Sequence, residues 1–570
     1  MRPWYLGNTT VRSPFRLRDG LIALANSPLG GRIKGKDNEI AFARVLHNAG
    51  VVNIVRLDAD VSDLGRKWRA ALSQLGFIYP EIPTREKIRQ AELGEPFSIT
   101  PNGRRLIAAD TVPGMQECFL RSLAAYYIPS VLERNYKFNV FSPLRHTLAI
   151  MLELERLTGE SRLNFLEMGL YVQLTSSDNP LGNVVENILA FRSRRELDPR
   201  KRRFDQQALK KAAIEHDYVA GTFNDYADTN FRYLKATGLV QSKGRGIAIN
   251  PEKRVFIERL LADAVIPESD LSLLVSLCKG ATLPTDNRDA ALIVLDDLVA
   301  QVNRRGVRYD LSGREVCTPA DIAIIRHEIE DILSRLNEDD YARRQAEEWG
   351  EINAYMQLLL NPRSRRAVSD DDTIKIPQAE APAYFEWVLW RAFLAIDSLT
   401  NKPYEARRFK VDQDFLPVST APGNGPDLIF EFEEFVVVVE VTLTESSRQE
   451  AAEGEPVRRH VAAIVTEYAK PVYGLFIANK IDSNTAETFR IGVWYTNDDN
   501  RMRLDIVPFT LSQFKIFFEA MFTSGNVQTT AIRELLDTCG DFRTNLHAPE
   551  WKAEIDRVVR DVVETFTAVS

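Results

Sequence analysis

The sequence predicts a multidomain α+β chain, and three observations carry that reading. A length of 570 residues is too great for one hydrophobic core, and the composition, 45% hydrophobic and 27% charged, is that of a globular protein. Charge is unevenly placed: residues 1–250 hold 36 Lys and Arg against 26 Asp and Glu, whereas the rest hold 36 against 54, for a net −8. The last third carries two apolar strand-like runs, 428–432 and 435–443, among helical patterns. Together these predict a basic module over 1–275 in two subdomains (about 1–150 and 151–275), a helical linker over 276–375 and an α/β domain over 376–570. A basic module on an acidic chain points to a polyanion partner; uneven surface charge is the plainer alternative.

Cys118, Cys278, Cys317 and Cys539 stand far apart with no CxxC pair, which argues against structural zinc and a disulfide framework. Reduced thiols, the lack of a signal-like apolar run and the lack of any stretch of transmembrane length predict a cytoplasmic protein with no membrane partner.

In residues 1–20, Arg2, Arg12, Arg16 and Arg18 are interleaved with Trp4, Tyr5 and Phe15 around polar and Pro punctuation. That predicts an extended arm suited to a phosphate backbone or minor groove, against the alternative of a partly docked terminus. A helix is predicted over 37–50. Before it, Gly30-Gly31-Arg32-Ile33-Lys34-Gly35-Lys36-Asp37 nearly spells a phosphate loop, but Asp37 stands where Ser or Thr must hold Mg²⁺, and no strand precedes it. The segment reads as a basic loop that binds no ATP, with Lys34 and Lys36 near DNA phosphate. The pattern over 63–75 predicts a helix with Arg66, Lys67 and Arg69. After Gly76 a strand from Phe97, a turn at Asn102-Gly103 and basic Arg104 and Arg105 read as a wing. The same order recurs as a helix over 226–239, with Arg232 and Lys235, and a wing around Gly244, with Lys243 and Arg245. Helices over 163–181 and 184–195 and a basic run over 192–203 lie between. Two winged-helix-like units suit reading of the major groove; generic helical cores are the alternative.

From 271 to 360 the pattern turns helical and acidic, with helices over 290–302, 320–336 and 340–360. His327 lies among them with no ligand at metal spacing. The acidic run 369–372 reads as a solvated linker. A strongly apolar helix over 381–396 encloses Glu386, a carboxylate that needs a partner once buried. A helix over 459–468, strands over 472–478, 491–495 and 504–507, and helices over 511–521 and 551–562 complete the chain.

The two apolar runs meet at Glu433-Glu434. With those residues at the centre of a tight turn, Asp427 falls directly opposite Glu440, on one face, with Cβ atoms about 5 Å apart. Two carboxylates that close repel unless a divalent cation sits between them. Thr442 shares their face. An Asp after Pro, a short hairpin and a Glu in an apolar strand resemble the PD-(D/E)xK nuclease core, with Thr442 in place of its usual Lys.

Further segments sharpen the likeness: F-E-W-V-L-W at 385–390, A-P-G-N-G-P-D at 421–427, V-E-V-T at 439–442, E-G-E-P-V-R-R-H at 453–460, G-L-F-I-A at 474–478, V-P-F-T-L-S-Q-F at 507–514, and, upstream, F-R-Y-L-K-A-T-G-L at 231–239 and N-P-E-K at 250–253. They resemble the AlwI family of type IIS restriction endonucleases, which includes site-specific nicking enzymes. The resemblance implies a winged-helix-like N-terminal DNA-recognition domain, a helical linker and a C-terminal α/β restriction-endonuclease-like domain that cuts outside a short asymmetric site. In that family the Lys is also replaced, so Thr442 does not itself argue inactivity. The matching functional positions are Asp427, Glu440, Glu386, Glu453 and His460. Asp427 and Glu440 would bind Mg²⁺, with Mn²⁺ able to substitute, and the Val441 carbonyl would complete the shell. Glu453 or Glu386 would take a second metal or orient the water, and His460 would act as acid/base or phosphate contact.

One such site cuts one strand, so double-strand cleavage of duplex DNA needs a second copy or a small subunit. The rivals are a strand-specific nicking enzyme, the large subunit of a heterodimer, and a DNA-binding protein with a decayed nuclease. An NTP-coupled nuclease is disfavoured by the incomplete phosphate loop. No N-P-P-Y or D-P-P-Y motif is present, which leaves host protection to a separate DNA methyltransferase.

Overall fold

The computed structural model describes every residue except 1, 12, 55, 57, 58, 264, 265, 362–365, 369–372, 397, 446, 447 and 570. Arg12 and the acidic run 369–372 therefore lie outside the described residues. The chain divides into two compact units, Met1–Asp331 and Ile332–Ser570. All four cysteines are free, and among the described residues no helix is long and apolar enough to cross a membrane.

The first unit is mainly helical, with a small antiparallel sheet of strands β1 (Leu163–Asn164), β2 (Val240–Lys243) and β3 (Gly246–Ile249) in the order β1-β3-β2. Lys243 pairs with Gly246, leaving a two-residue turn in which Gly244 takes the positive φ of +56° that such turns favour. The helix Ala220–Lys235 precedes this hairpin, starting six residues before and ending four before the 226–239 expected.

The first expected wing does not form. Residues expected to form a wing are the helix Pro101–Ala108. Thr100 caps it, its Oγ1 accepting the Gly103 N–H at 3.0 Å, and Pro101 occupies the first turn, where a missing N–H costs nothing. Asn102 is buried, and a Cβ at Gly103 would lie 2.1 Å from the Phe77 carbonyl oxygen, so this Asn-Gly pair serves close packing rather than a turn.

The helix expected over 163–181 is broken as well. Asn164 and Glu167 form a reciprocal capping box that starts a short helix, Phe165–Leu170, and a single 3-10 turn follows at Val172–Leu174. The N-terminal segment is docked, not extended. Trp4 is fully buried and donates its Nε1–H to the Thr175 carbonyl at 2.8 Å, Tyr5 stacks on Tyr226, and Arg16–Ala25 is a helix. The acidic helices are present as Arg288–Arg304, Pro319–Arg343 and Trp349–Leu360; the last begins later than its periodicity suggests.

In the second unit, short ribbons β4–β5 (Arg366–Val368 and Thr373–Lys375) and β9–β10 (Val493–Tyr495 and Arg501–Arg503) flank the main sheet. That sheet comprises β6 (Leu428–Glu431), β7 (Val436–Thr442), β8 (Val472–Ala478) and β11 (Asp505–Thr510), in the order β11-β8-β7-β6. The hairpin β6–β7 is antiparallel; β7–β8 and β8–β11 are parallel. Val436–Val439 are fully buried, as a β-branched run is when a sheet is covered on both faces.

Two helices fix what the sheet presents. Ala381–Ile396 packs against β7. Its Arg391 is buried and fully engaged, donating to Glu348 at 2.7 Å, Glu351 at 2.6 Å and Gln345 at 2.6 Å beside the Trp387 ring. The guanidinium is buried while Glu348 and Glu351 are partly exposed, so these bonds pin the helix without making a fully buried ion pair. The second helix, Glu455–Glu467, packs on β8 at Gly474, where a Cβ would come within 2.9 Å of Val461. It starts four residues earlier than expected, with Pro456 in its first turn, after a π-helical turn at Glu450–Gly454. His460 therefore lies in its second turn rather than at its opening.

Candidate active site

The site grows from strand register. β6 and β7 pair Leu428 with Val439, Ile429 with Val438, Phe430 with Val437 and Glu431 with Val436. One further step sets Asp427 opposite Glu440, as the turn arithmetic predicts. Odd-numbered residues of this strand turn their peptide groups toward β6: the Phe435 carbonyl accepts the Phe432 N–H at 2.9 Å, and the Val441 N–H reaches past the end of β6 to donate to Asp427 Oδ2 at 2.9 Å. Glu440 thus occupies a non-hydrogen-bonded position, where opposed side chains approach most closely.

Other elements converge on this pair. Glu386, buried on the apolar helix, accepts the Ala421 N–H on Oε2 at 2.7 Å, which ties the helix to the loop leading into Asp427. His460 is buried, with Nδ1 2.6 Å from Glu440 Oε1, and its buried Nε2 has no partner among the described residues. Glu453 is half-buried in the π-helical turn, and its charge acts on both Asp427 and Glu440. The loop from β7 to that turn is braced by Gln449, whose side chain donates to the Thr444 and Lys480 carbonyls and accepts the Asp482 N–H.

Electrostatics reflect the crowding. Burial pushes Glu440 up to about 8, and Glu453 adds to the shift. Asp427 is raised by burial and then by Glu440, and Glu386 by burial and then by Asp427 and Glu440. Burial and then Arg459 lower His460, which keeps its imidazole neutral near pH 7.

Among the described residues, no three His, Cys, Asp or Glu side chains already converge as a metal cage. The donor chemistry still fits a hard divalent cation. Opposed carboxylates removed from water hold their charge only when a cation neutralises it. The orphaned His460 Nε2 is a buried polar atom left open for a reactant or water.

The described basic residues proposed to meet DNA fall into three groups, with Arg104 apart. Arg16, Arg18 and Arg105 donate to the carbonyls of Gly50, Ile107 and Lys279, and Arg69 pairs with Glu39 at 2.9 Å; these serve the fold. Lys34 pairs with Glu81, Lys36 with Asp60, Arg66 and Lys67 with Asp63, and Lys243 with Glu160 in surface ion pairs, which are worth little and exchange readily for phosphate. Arg232 pairs with Asp228 in the last turn of Ala220–Lys235, and Lys235 donates to Ser242 Oγ, which gathers them beside the hairpin whose tip exposes Arg245. Arg104 is exposed on Pro101–Ala108.

Sequence reasoning passed over Arg408, Asn424 and Gly425. The A-P-G-N-G-P-D string held the signal for the last two: Arg408 donates to Asn424 Oδ1 at 2.8 Å, and its Nη1 lies where a Cβ of residue 425 would be.

A model of a family described as AlwI restriction endonuclease matches residues 73–517. No curated protein matches. Among solved structures, the small subunit (R.BspD6I2) of the heterodimeric restriction endonuclease R.BspD6I is 23% identical, over 36% of this chain and 98% of that one, with a TM-score of 0.28. Restriction endonuclease FokI is 12% identical, over 94% of this chain and 99% of that one, with a TM-score of 0.25. At such scores neither structural likeness bears on what this chain does.

Proposed function

Because the chain belongs to the AlwI restriction endonuclease family and is a type II site-specific deoxyribonuclease, we propose that it acts as a Mg²⁺-dependent type IIS enzyme, cutting DNA outside a short asymmetric site. The observation that carries the reading is the half-buried Asp427 facing the buried Glu440, with His460 on Glu440.

Asp427 and Glu440 would hold Mg²⁺ or Mn²⁺, with Glu453 beside them. The Val441 carbonyl also suits a ligand, since in a strand it points to the same edge as the Val441 N–H that meets Asp427. When bound, the ion supplies Lewis-acid activation of the phosphate and offsets its charge. The protein's own groups do the rest. The Val441 N–H orients Asp427. An ionised Glu440 keeps the His460 proton on Nδ1, so Nε2 carries a lone pair for the proton of the attacking water. Glu386, held by Ala421, would take a second metal or orient the water.

In this reading the basic first unit recognises double-stranded DNA through winged-helix-like subdomains, residues near 276–375 link it to the cleavage domain, the enzyme works in the cytoplasm, and a separate methyltransferase protects the host site. A second reading, a nicking enzyme or the large subunit of a heterodimer, is favoured by one observation: among the described residues there is one opposed acidic pair, enough for one strand.

The test is cleavage of a supercoiled plasmid library by the purified protein with Mg²⁺, followed by run-off sequencing of the ends. Fixed offsets from one asymmetric sequence support the type IIS reading, and nicked against linear product separates the two forms. Asp427→Ala is expected to bind specifically without cutting. Specific binding by the unmodified chain with no cleavage in Mg²⁺ or Mn²⁺ would overturn catalysis in favour of a decayed nuclease.

A further inference from the structure

Arg408 stands beside the acidic pair, and among the described residues no carboxylate pairs with it. Arg407 forms an antiparallel bridge with Leu428, so the next step of that register sets Arg408 opposite Asp427, just as Asp427 is opposite Glu440. Directly opposed residues of antiparallel strands share a face. Arg408, Asp427 and Glu440 therefore form one row across three chain segments. The contrast with its neighbour is informative. Arg407 is spent on the fold, in a two-pronged pair with Glu338 at 2.6 and 2.7 Å. Arg408 is half-buried, and its only hydrogen-bond partner among the described residues is the neutral Asn424 side chain.

Gly425 makes this placement possible. A Cβ there would lie 1.7 Å from Arg408 Nη1, so any larger residue would evict the guanidinium from its seat. Asn424 holds one end, Gly425 leaves room for the other, and Asp427 follows two residues later. The charge reaches the site, since Arg408 lowers the pKa of both Glu440 and His460. A planar cation kept close to an acidic row, yet not neutralised by it, is placed to meet an incoming anion. Thr442, on the same face, brings no cation.

We propose that Arg408 is a catalytic residue that binds a non-bridging oxygen of the scissile phosphate. Its N–H groups stabilise the negative charge that builds there as the water oxygen–phosphorus bond forms and the bond from phosphorus to the leaving ribose oxygen breaks. The water's proton passes to the site's base, and the leaving oxygen is protonated from solvent. The proposal rests on the cleavage reading above and deepens it.

The experiment uses the full chain with Arg408→Ala, Arg408→Lys and Gly425→Ala in single-turnover cleavage of a site-bearing duplex. Specific binding is measured with Ca²⁺ replacing Mg²⁺, and melting temperatures are recorded. Arg408→Ala is expected to slow cleavage about 10²–10³-fold, the scale for removing one donor to a developing oxyanion, with binding within a few-fold. Added methylguanidinium should restore part of the Arg408→Ala rate and leave the parent rate unchanged, and Arg408→Lys should fall between. Gly425→Ala should slow cleavage at least tenfold at an unchanged melting temperature, because only the far end of a side chain must shift. A methylphosphonate at the scissile position should impair the parent but add little to the Arg408→Ala defect. Full activity in Arg408→Ala, or a loss that neither methylguanidinium nor Lys rescues and that tracks a lowered melting temperature, overturns the assignment. A parent protein that binds but never cleaves sinks the cleavage reading itself; a parent that cleaves beside a fully active Arg408→Ala sinks the arginine alone.

Discussion

His460 Nδ1 lies 2.6 Å from Glu440 Oε1, while the opposite ring nitrogen is buried and unpartnered. The contact joins a helix residue to a strand residue and leaves one nitrogen with no structural duty. An asparagine at 460 would keep a donor toward Glu440 but offer no base. His460→Asn and His460→Ala should therefore both lose about 10²–10⁴-fold in single-turnover cleavage. The acidic limb of the pH–rate profile should then reflect only the carboxyls that hold the cation. Wild-type rates in His460→Asn would exclude the imidazole as a proton acceptor.

The metal-free protein should lose stability as pH rises. Glu440 sits at about 8 in the folded chain against an ordinary 4.5, and Asp427 and Glu386 are shifted the same way. A group raised on folding contributes fully below its unfolded value and loses that contribution as pH climbs through the folded one. The window is thus roughly pH 4.5 to 8 for Glu440. Melting curves in EDTA should fall across it, and the gain on adding Mg²⁺ should grow from pH 5.5 to 8. A Mg²⁺ effect independent of pH would show that the cation does not sit among these carboxyls.

Gly474 sets how closely the helix carrying His460 lies on β8. Gly474→Ala should cost about 1–3 kcal/mol by overpacking. It should also displace His460 from Glu440, and so lower cleavage tenfold or more while leaving specific DNA binding as it was. Equal losses of binding and cleavage would mean that the damage is general.

Two arginines of the first unit should behave differently. Arg104 is exposed, so Arg104→Ala should weaken DNA binding, reduce the slope of affinity against salt by about 1, and leave the melting temperature unmoved. Arg69 pairs with Glu39, donates to the Ile33 carbonyl at 3.0 Å and lies over Phe97, so Arg69→Ala should lower the melting temperature. Titrations at several salt concentrations beside thermal melts check both.

What the sequence makes legible depends on how local each constraint is. The facing of Asp427 and Glu440 follows from a two-residue turn and the two-residue period of a strand, both contained in fourteen consecutive residues. Glu386 betrays itself as a charge inside an apolar run. Residues 101–108 mislead because Asn102-Gly103 is a strong turn pair, while the stronger signal is Thr100-Pro101, a cap followed by a first-turn proline. The start at Glu455 is hidden by Gly454 and Pro456, which look like breakers but mark a helix entry. Arg408 gives no local sign at all. Its role depends on a bridge between residues 407 and 428 and on the missing side chain at 425.

The run of valines in β7 has a meaning for the chain before it folds. Phe435 and Val436–Val439 form a window of high β-propensity with no proline, the kind of segment that seeds intermolecular sheets when exposed. Glu433, Glu434 and Glu440 bracket it with charge. Glu440 is thus a burden in the empty folded site and a gatekeeper in the unfolded chain, and it guards only while ionised, above its ordinary value of 4.5. Acid at or below that value, where the metal-free folded domain keeps its full carboxyl contribution, is therefore the condition in which denatured chains most readily clump.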